Sequence, residues 1–454
     1  MYHRVHMLVQ PRQAAHTLSG TPQLLRFWVP LALIGLIMGV EQPTIAAVVS
    51  RLPNPAQSLA AYEVAFGLAA LIHSPILQLL SAGTARIVDR PSYNHMFRFF
   101  LITTGALTAI HLLIGLTGLF DRIAGQIIGI PADLVDPARI AFLALAPISA
   151  AVGFRRLLQG AMVRARTIRS VAVVTLIRLA ATTLFLGSVL WANQAGHRPV
   201  PGGGTIAAIA FTTGVVAGAV VAGLRFKRVV IPTLAVGTNE FKTDTTSVAE
   251  TMRFYTPLAL TGVVMTIGRP LLVWSITRSD QAVSSLAAWP LVLSFVGIFQ
   301  ALAMSYQEVV VGHVSEQRDA AELVRRTATV IGMGLTGVAA LIFLTPLREV
   351  WFRTVVNAPE NLMPLILPAI VIVTPMPWIA TRIAMFNGIL IATGRTAWVT
   401  AAMAVRILGY VAFGLMLPLT TSLPGTVVAA ITLVGSGLMQ LALGVIAYRT
   451  QAPL

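Results

Sequence analysis

Arg26 to Arg51 reads RFWVPLALIGLIMGVEQPTIAAVVSR, and 227 residues later Arg253 to Arg278 reads RFYTPLALTGVVMTIGRPLLVWSITR. Ten of these 26 positions are identical, among them Pro30/Pro257, Gly35/Gly262, Met38/Met265, Pro43/Pro270 and Arg51/Arg278. Leucine- and alanine-rich segments align easily by accident, but proline, glycine, methionine and arginine in register do not. The same shift lays Ser58-Leu59-Ala60-Ala61-Tyr62 on Ser285-Leu286-Ala287-Ala288-Trp289. One residue further, Gln159-Gly160 meets Asn387-Gly388 and Arg178-Leu179 meets Arg406-Ile407. The chain is therefore read as a tandem repeat.

Each copy holds six apolar runs long enough to cross about 30 Å of hydrocarbon. They are read at 27–49, 59–83, 97–119, 140–163, 170–192 and 204–224, then at 254–276, 284–311, 325–346, 363–391, 396–418 and 424–448. The expected fold is an all-α membrane protein of twelve transmembrane helices in two parallel six-helix repeats. An even number of spans per copy makes the repeats parallel, and in such architectures substrate sits near the midplane between halves that rock around it. The expected organisation is a cytosolic segment 1–25, an N-lobe 26–225, a cytosolic linker 226–252 and a C-lobe 253–454.

Composition agrees: 56% of the 454 residues are hydrophobic and 11% charged, against about 25% charged in soluble domains. Residues 1–20 contain several polar residues and lack the apolar core of a cleavable signal, so the first run reads as a retained helix. With the N-terminus in the cytosol, inside segments hold 19 of the 32 Lys and Arg and outside segments 7, which places both termini in the cytosol. The net charge of +16 is thus assigned to topology and anionic lipid rather than to nucleic acid, since no basic patch is interleaved with exposed aromatics. No cysteine is present, no His/Glu cluster stands at metal-ligand spacing, and no glycine-rich phosphate loop ends in Lys and Ser/Thr. Neither enzyme chemistry nor a cofactor is expected, apart from H+ or Na+ as a coupling ion.

Six arginines fall inside spans: Arg155, Arg156, Arg178, Arg269, Arg382 and Arg406. A charge at the bilayer centre costs several kcal/mol, so such residues face a bundle interior or a wet cavity. Arg155/Arg382 and Arg178/Arg406 are repeat equivalents. Read functionally, the six line a cationic cleft, because guanidinium stays charged and binds carboxylate or phosphate bidentately. The alternative is that all but Arg269 reach lipid phosphate or cap helix ends. Glu41 precedes Gln42-Pro43, and its repeat partner is Gly268, beside Arg269. Glu41 and Arg269 are therefore expected to meet at a gate, or Glu41 to carry a coupling proton. His73 is a third coupling candidate, or else a satisfied interhelical donor. Glu63 reads as wetted at the outer end of its span, and Tyr62 and Trp289 as interfacial anchors.

Phe27 to Arg51 with Glu41-Gln42-Pro43, followed by Leu59-Ala60-Ala61-Tyr62, resembles the start of the progressive ankylosis protein family. Arg253 to Arg278, with Gly268-Arg269-Pro270, and Ala404-Val405-Arg406-Ile407 are similar too. The resemblance implies membership of the superfamily of multidrug and toxin extruders and lipid-linked oligosaccharide flippases. It also implies a two-lobed twelve-helix fold with a central V-shaped cavity, and export of anions such as pyrophosphate, ATP or citrate. Only two lysines against 30 arginines look like a high-GC bacterium, hence a bacterial inner membrane. The expected function is a monomeric secondary exporter of small anions by alternating access. Its rivals are a proton- or sodium-coupled multidrug (cation) exporter, which wants an acidic cavity, and a lipid-linked precursor flippase.

Overall fold

A computed structural model describes residues 20–165, 167–196, 202–234, 248–316, 321–393 and 395–450. Much of the expected cytosolic segment 1–25 and of the 226–252 linker lies outside them. The protein is a multi-pass integral membrane protein. Among the described residues ten helices are long and apolar enough to cross a membrane, from Thr21–Val49 to Gly425–Arg449, and the bent pair Glu360–Val373 and Met376–Ala392 makes eleven when it is counted as one span. The expected seventh span is two helices, Val248–Thr266 and Gly268–Thr277, whose apolar part Gly262–Thr277 is short. The sixth helix runs to Val229, past the expected edge at 224.

The helix breaks follow the repeat. The first span divides into Thr21–Gly39 and Glu41–Val49, and the seventh into Val248–Thr266 and Gly268–Thr277. Proline has no N–H to give the carbonyl four residues before it. For Pro43 and Pro270 those carbonyls belong to Gly39 and Thr266, where the helices stop. Each proline then sits in the first turn of the next helix, where its missing donor costs nothing. The fourth span breaks before Pro147, between Ala132–Ala144 and Ile148–Arg164, and the tenth at Thr374-Pro375 with a bend of 41°.

Backbone singularities repeat as well. Asn54 and Gln281 both take the left-handed region at φ 52°, each just before the second span of its lobe. Gly129 (φ 86°) and Asn357 (φ 55°) form a second such pair, each behind a π-helical turn, Arg122–Ile128 and Val350–Val355.

The lobes are cross-packed. A Cβ at Gly35 would lie 2.9 Å from the Ala301 carbonyl oxygen, and one at Gly262 would lie 2.5 Å from that of Ser74. The first span of each lobe thus lies backbone-close against the second span of the other. Trp28 Nε1 donates to Ser305 Oγ at 2.9 Å, and its repeat equivalent Tyr255 donates its hydroxyl to the Pro75 carbonyl at 2.6 Å. At the opposite end, Arg51 donates to the carbonyls of Thr354 (2.8 Å) and Val356 (3.2 Å), while Arg278 donates to those of Ile127 (3.1 Å) and Ile128 (2.9 Å). Each lobe therefore clasps the π-helical turn of the other with the same residue.

Candidate substrate cavity

A cavity of about 480 Å³ opens among the second, seventh, eighth, tenth, eleventh and twelfth spans. Its polar lining is Thr266, Arg269, Gln300, Asn387, Arg406, Tyr410 and Gln440, set among apolar residues such as Phe66, Leu293 and Met376. A smaller cavity of about 260 Å³, lined by Gln42, Tyr62 and Ser294, shares Arg269, Leu293 and Gln300 with it. Among the described residues neither lining includes a carboxylate.

Of the six intraspan arginines, Arg269 and Arg406 come together in this cavity. Their electrostatic situations differ. Arg269 is held bidentately by Glu63, with Nε to Oε1 at 2.8 Å and the second hydrogen bond from Nη2 to Oε2, and it stacks over Phe66 at 4.6 Å. Glu63 is fully buried, so the expectation of a wetted outer carboxylate is corrected. This ion pair joins the second span of one lobe to the seventh of the other. Arg406 has no ion-pair partner among the described residues. Its Nε donates to the Tyr410 hydroxyl at 3.2 Å and its Nη1 to Gln440 Oε1 at 3.1 Å. Both acceptors are neutral, so the guanidinium's full charge faces the cavity.

Arg178, the N-lobe counterpart of Arg406, is neutralised. It donates to Glu41, whose other oxygen accepts from Thr182 at 3.2 Å. The expected meeting of Glu41 with Arg269 is thus corrected: Glu41 pairs inside its own lobe, and Arg269 takes Glu63 instead. An aromatic bridge links the two ion pairs, since Phe211 lies under Arg178 at 5.7 Å and meets Phe66 edge-on at 5.1 Å.

The remaining candidates lie elsewhere. Arg155 is buried beside Arg178: a Cβ at Gly218 would be 3.4 Å from Arg155 Cδ and 3.3 Å from Arg178 Cβ. The Nε atoms of Arg155 and Arg156 are buried without hydrogen-bond partners. Arg382 lies in a separate open pocket with Glu322, Arg325 and Arg326, its guanidinium over Trp378 at 5.5 Å. His73 is packed inside the N-lobe, its Nδ1 2.6 Å from Ser149 Oγ and its ring stacked on His111 at 5.2 Å. It lines neither central cavity, so the gate expectation has no geometric footing there. Tyr62 and Trp289 are buried rather than interfacial.

Sequence reasoning misplaced Glu63 and missed Tyr410 and Gln440. For Tyr410 a signal existed: it stands one helical turn after Arg406 and 228 residues from Thr182, the residue that holds Glu41 in the other lobe.

No family model and no curated protein matches the chain. Solved structures do. The inward-facing conformation of a multidrug resistance MATE family transporter of the MOP superfamily is similar at TM-score 0.63 and 15% identity, over 95% of this chain and 98% of that one. The fold is that of the MATE transporters. A MOP superfamily transporter from Pyrococcus furiosus, described as having a binding pocket of reverse polarity that suggests a different function, matches at TM-score 0.63 and 15% identity, over 95% of each chain. The lipid II flippase MurJ in an inward closed conformation matches at 0.62 and 12%, over 93% of this chain and 87% of the other.

Proposed function

We propose that this protein is a secondary exporter of small anions, pyrophosphate-, nucleotide- or citrate-like, working by alternating access of lobes 26–225 and 253–454 in a bacterial inner membrane. The observation that carries the reading is Arg406: a guanidinium lining the cavity, hydrogen-bonded among the described residues only to neutral groups, in a described lining without carboxylate. Guanidinium fits the planar oxygen pairs of carboxylate and phosphate. A cation exporter would need the opposite polarity at the same place. The resemblance to the progressive ankylosis family and the reversed pocket polarity described for the Pyrococcus relative of the fold point the same way. The substrate binds at Arg406 with Asn387, Gln440 and Tyr410 around it, and the chain works as a monomer, with H+ or Na+ as the coupling ion.

The test is efflux from proteoliposomes loaded with pyrophosphate, ATP or citrate. Export of one of these anions, abolished by Arg406→Ala with the protein still folded, supports the proposal. Export of ethidium that Arg406→Ala leaves unchanged, or flipping of a lipid-linked sugar with no anion export, overturns it.

A further inference from the structure

The pocket that holds Arg382 is not part of the central cavity and shares no lining residue with it. About 540 Å³ in volume and open at the protein surface, it is lined by Glu322, Arg325, Arg326, Thr329, Val330 and Arg382. The first five lie on the ninth span, Ala321–Phe343, and Arg382 projects from the tenth, Met376–Ala392. Glu322 is already engaged by Arg325 at 2.7 Å. Arg382 makes no ion pair among the described residues and lies near enough to Arg325 for their charges to interact. Among the described residues, three guanidiniums against one carboxylate leave the pocket with two uncompensated positive charges.

The ninth span continues from this pocket as an apolar track. Val330, which lines the pocket, is followed at helical spacing by Met333, Leu341 and Leu344, all exposed. Between them a Cβ on Gly334 or Gly337 would meet nothing within 4 Å, so the track is an open apolar face with low relief at its glycines. A cationic pocket at one end of a span, continued by an exposed apolar face along that span, matches a molecule with a charged head and a hydrocarbon tail. Basic pockets between membrane helices bind anionic lipid headgroups in this way.

We propose that Arg325, Arg326 and Arg382 bind the phosphate of an anionic phospholipid whose acyl chain lies along Val330, Met333, Gly334, Gly337 and Leu341. Two features select a lipid over a soluble anion. The pocket shares no lining residue with the central cavity, and the apolar face beyond Val330 offers nothing polar for a free phosphate to use. The occupant reports on the membrane rather than on the transported molecule, so the site stands whether or not the proposed anion export is correct.

The test uses purified full-length protein and native mass spectrometry with phosphatidylglycerol, phosphatidylcholine and inorganic phosphate as separate probes. Phosphatidylglycerol should be retained over phosphatidylcholine, and Arg326→Gln with Arg382→Gln should reduce that preference roughly tenfold or more. Val330→Glu, at an exposed position, should block the lipid by pairing with the arginines, which guards against a double variant that fails to fold. Equal retention of the two lipids overturns the proposal, as does a preference unchanged in both variants. Inorganic phosphate that displaces phosphatidylglycerol at low millimolar concentration assigns the pocket to a soluble anion and also overturns it.

Discussion

The N-lobe and the C-lobe hold the same arginine in the same helix and use it in opposite ways. In the N-lobe, Arg178 faces Glu41, and Thr182 one turn later supports the carboxylate. In the C-lobe the carboxylate position is Gly268, the threonine position is Tyr410, and Arg406 is left with neutral partners. The two replacements depend on each other. A Cβ at Gly268 would lie 2.6 Å from Tyr410 Cε2, so the larger ring requires the bare glycine. Duplication kept the backbone, including its proline breaks and left-handed residues, while this exchange made one copy an internal brace and the other a cationic surface.

The largest effect expected from this contrast is on stability. Arg178→Ala leaves Glu41 buried and unpaired, a loss of about 3–5 kcal/mol. Thermal unfolding in detergent should show it, with much of the loss recovered when Glu41→Gln is added. Arg406→Ala removes a cavity-facing charge and should leave the melting curve nearly unchanged; equal destabilisation by the two substitutions would erase the distinction between the lobes.

Transport should show the reverse order. Arg406→Ala should lower anion export by roughly 10- to 100-fold, the worth of hydrogen bonds to a charged group. Arg406→Lys should rescue part of it, retaining charge without the planar fork. Full export in the alanine variant would place the substrate elsewhere.

A graft sharpens the comparison further. Gly268→Glu with Tyr410→Thr rebuilds the N-lobe arrangement in the C-lobe and should fold while losing anion export. Gly268→Glu alone should fold poorly because of the ring it meets. A doubly substituted protein that exports normally would show that the charge of Arg406 is irrelevant. The smallest effect belongs to Tyr410→Phe, which deletes one acceptor near Arg406 and should change apparent substrate affinity by roughly two- to tenfold, about 0.5–1.5 kcal/mol.

The fold was legible because two signals were strong: apolar runs of membrane length, and a repeat whose prolines mark the helix breaks. Arg269 and Arg406 were legible as cavity residues because a charge in hydrocarbon has few places to go. The pairing was not. An offset of 227 or 228 says which positions are equivalent, but it does not say which side chains meet. Glu41 finds Arg178 from the fifth span, and Arg269 finds Glu63 across the lobe boundary. The burial of Glu63 was hidden for a related reason. Its helix, Pro55–His73, is apolar nearly all round, so no polar stripe reveals which face turns inward. Arg382 was misplaced because depth along a span carries no information about whether a residue faces the other lobe or the lipid.

Arg51 and Arg278 clasp the opposite lobe's π-helical turns by one interaction used twice. A door with two identical bolts cannot be half open. If the lobes move as units, as the proposed alternating access requires, both guanidiniums must leave their carbonyls in the same event, and that end of the protein switches between two states rather than drifting through intermediates. Losing either bolt lowers the same barrier by about the same amount. Arg51→Ala and Arg278→Ala should therefore give matching increases in labelling of a cysteine placed at Ser294, in the smaller cavity. Unequal increases would mean that the two ends of the pseudo-symmetric lock open in sequence.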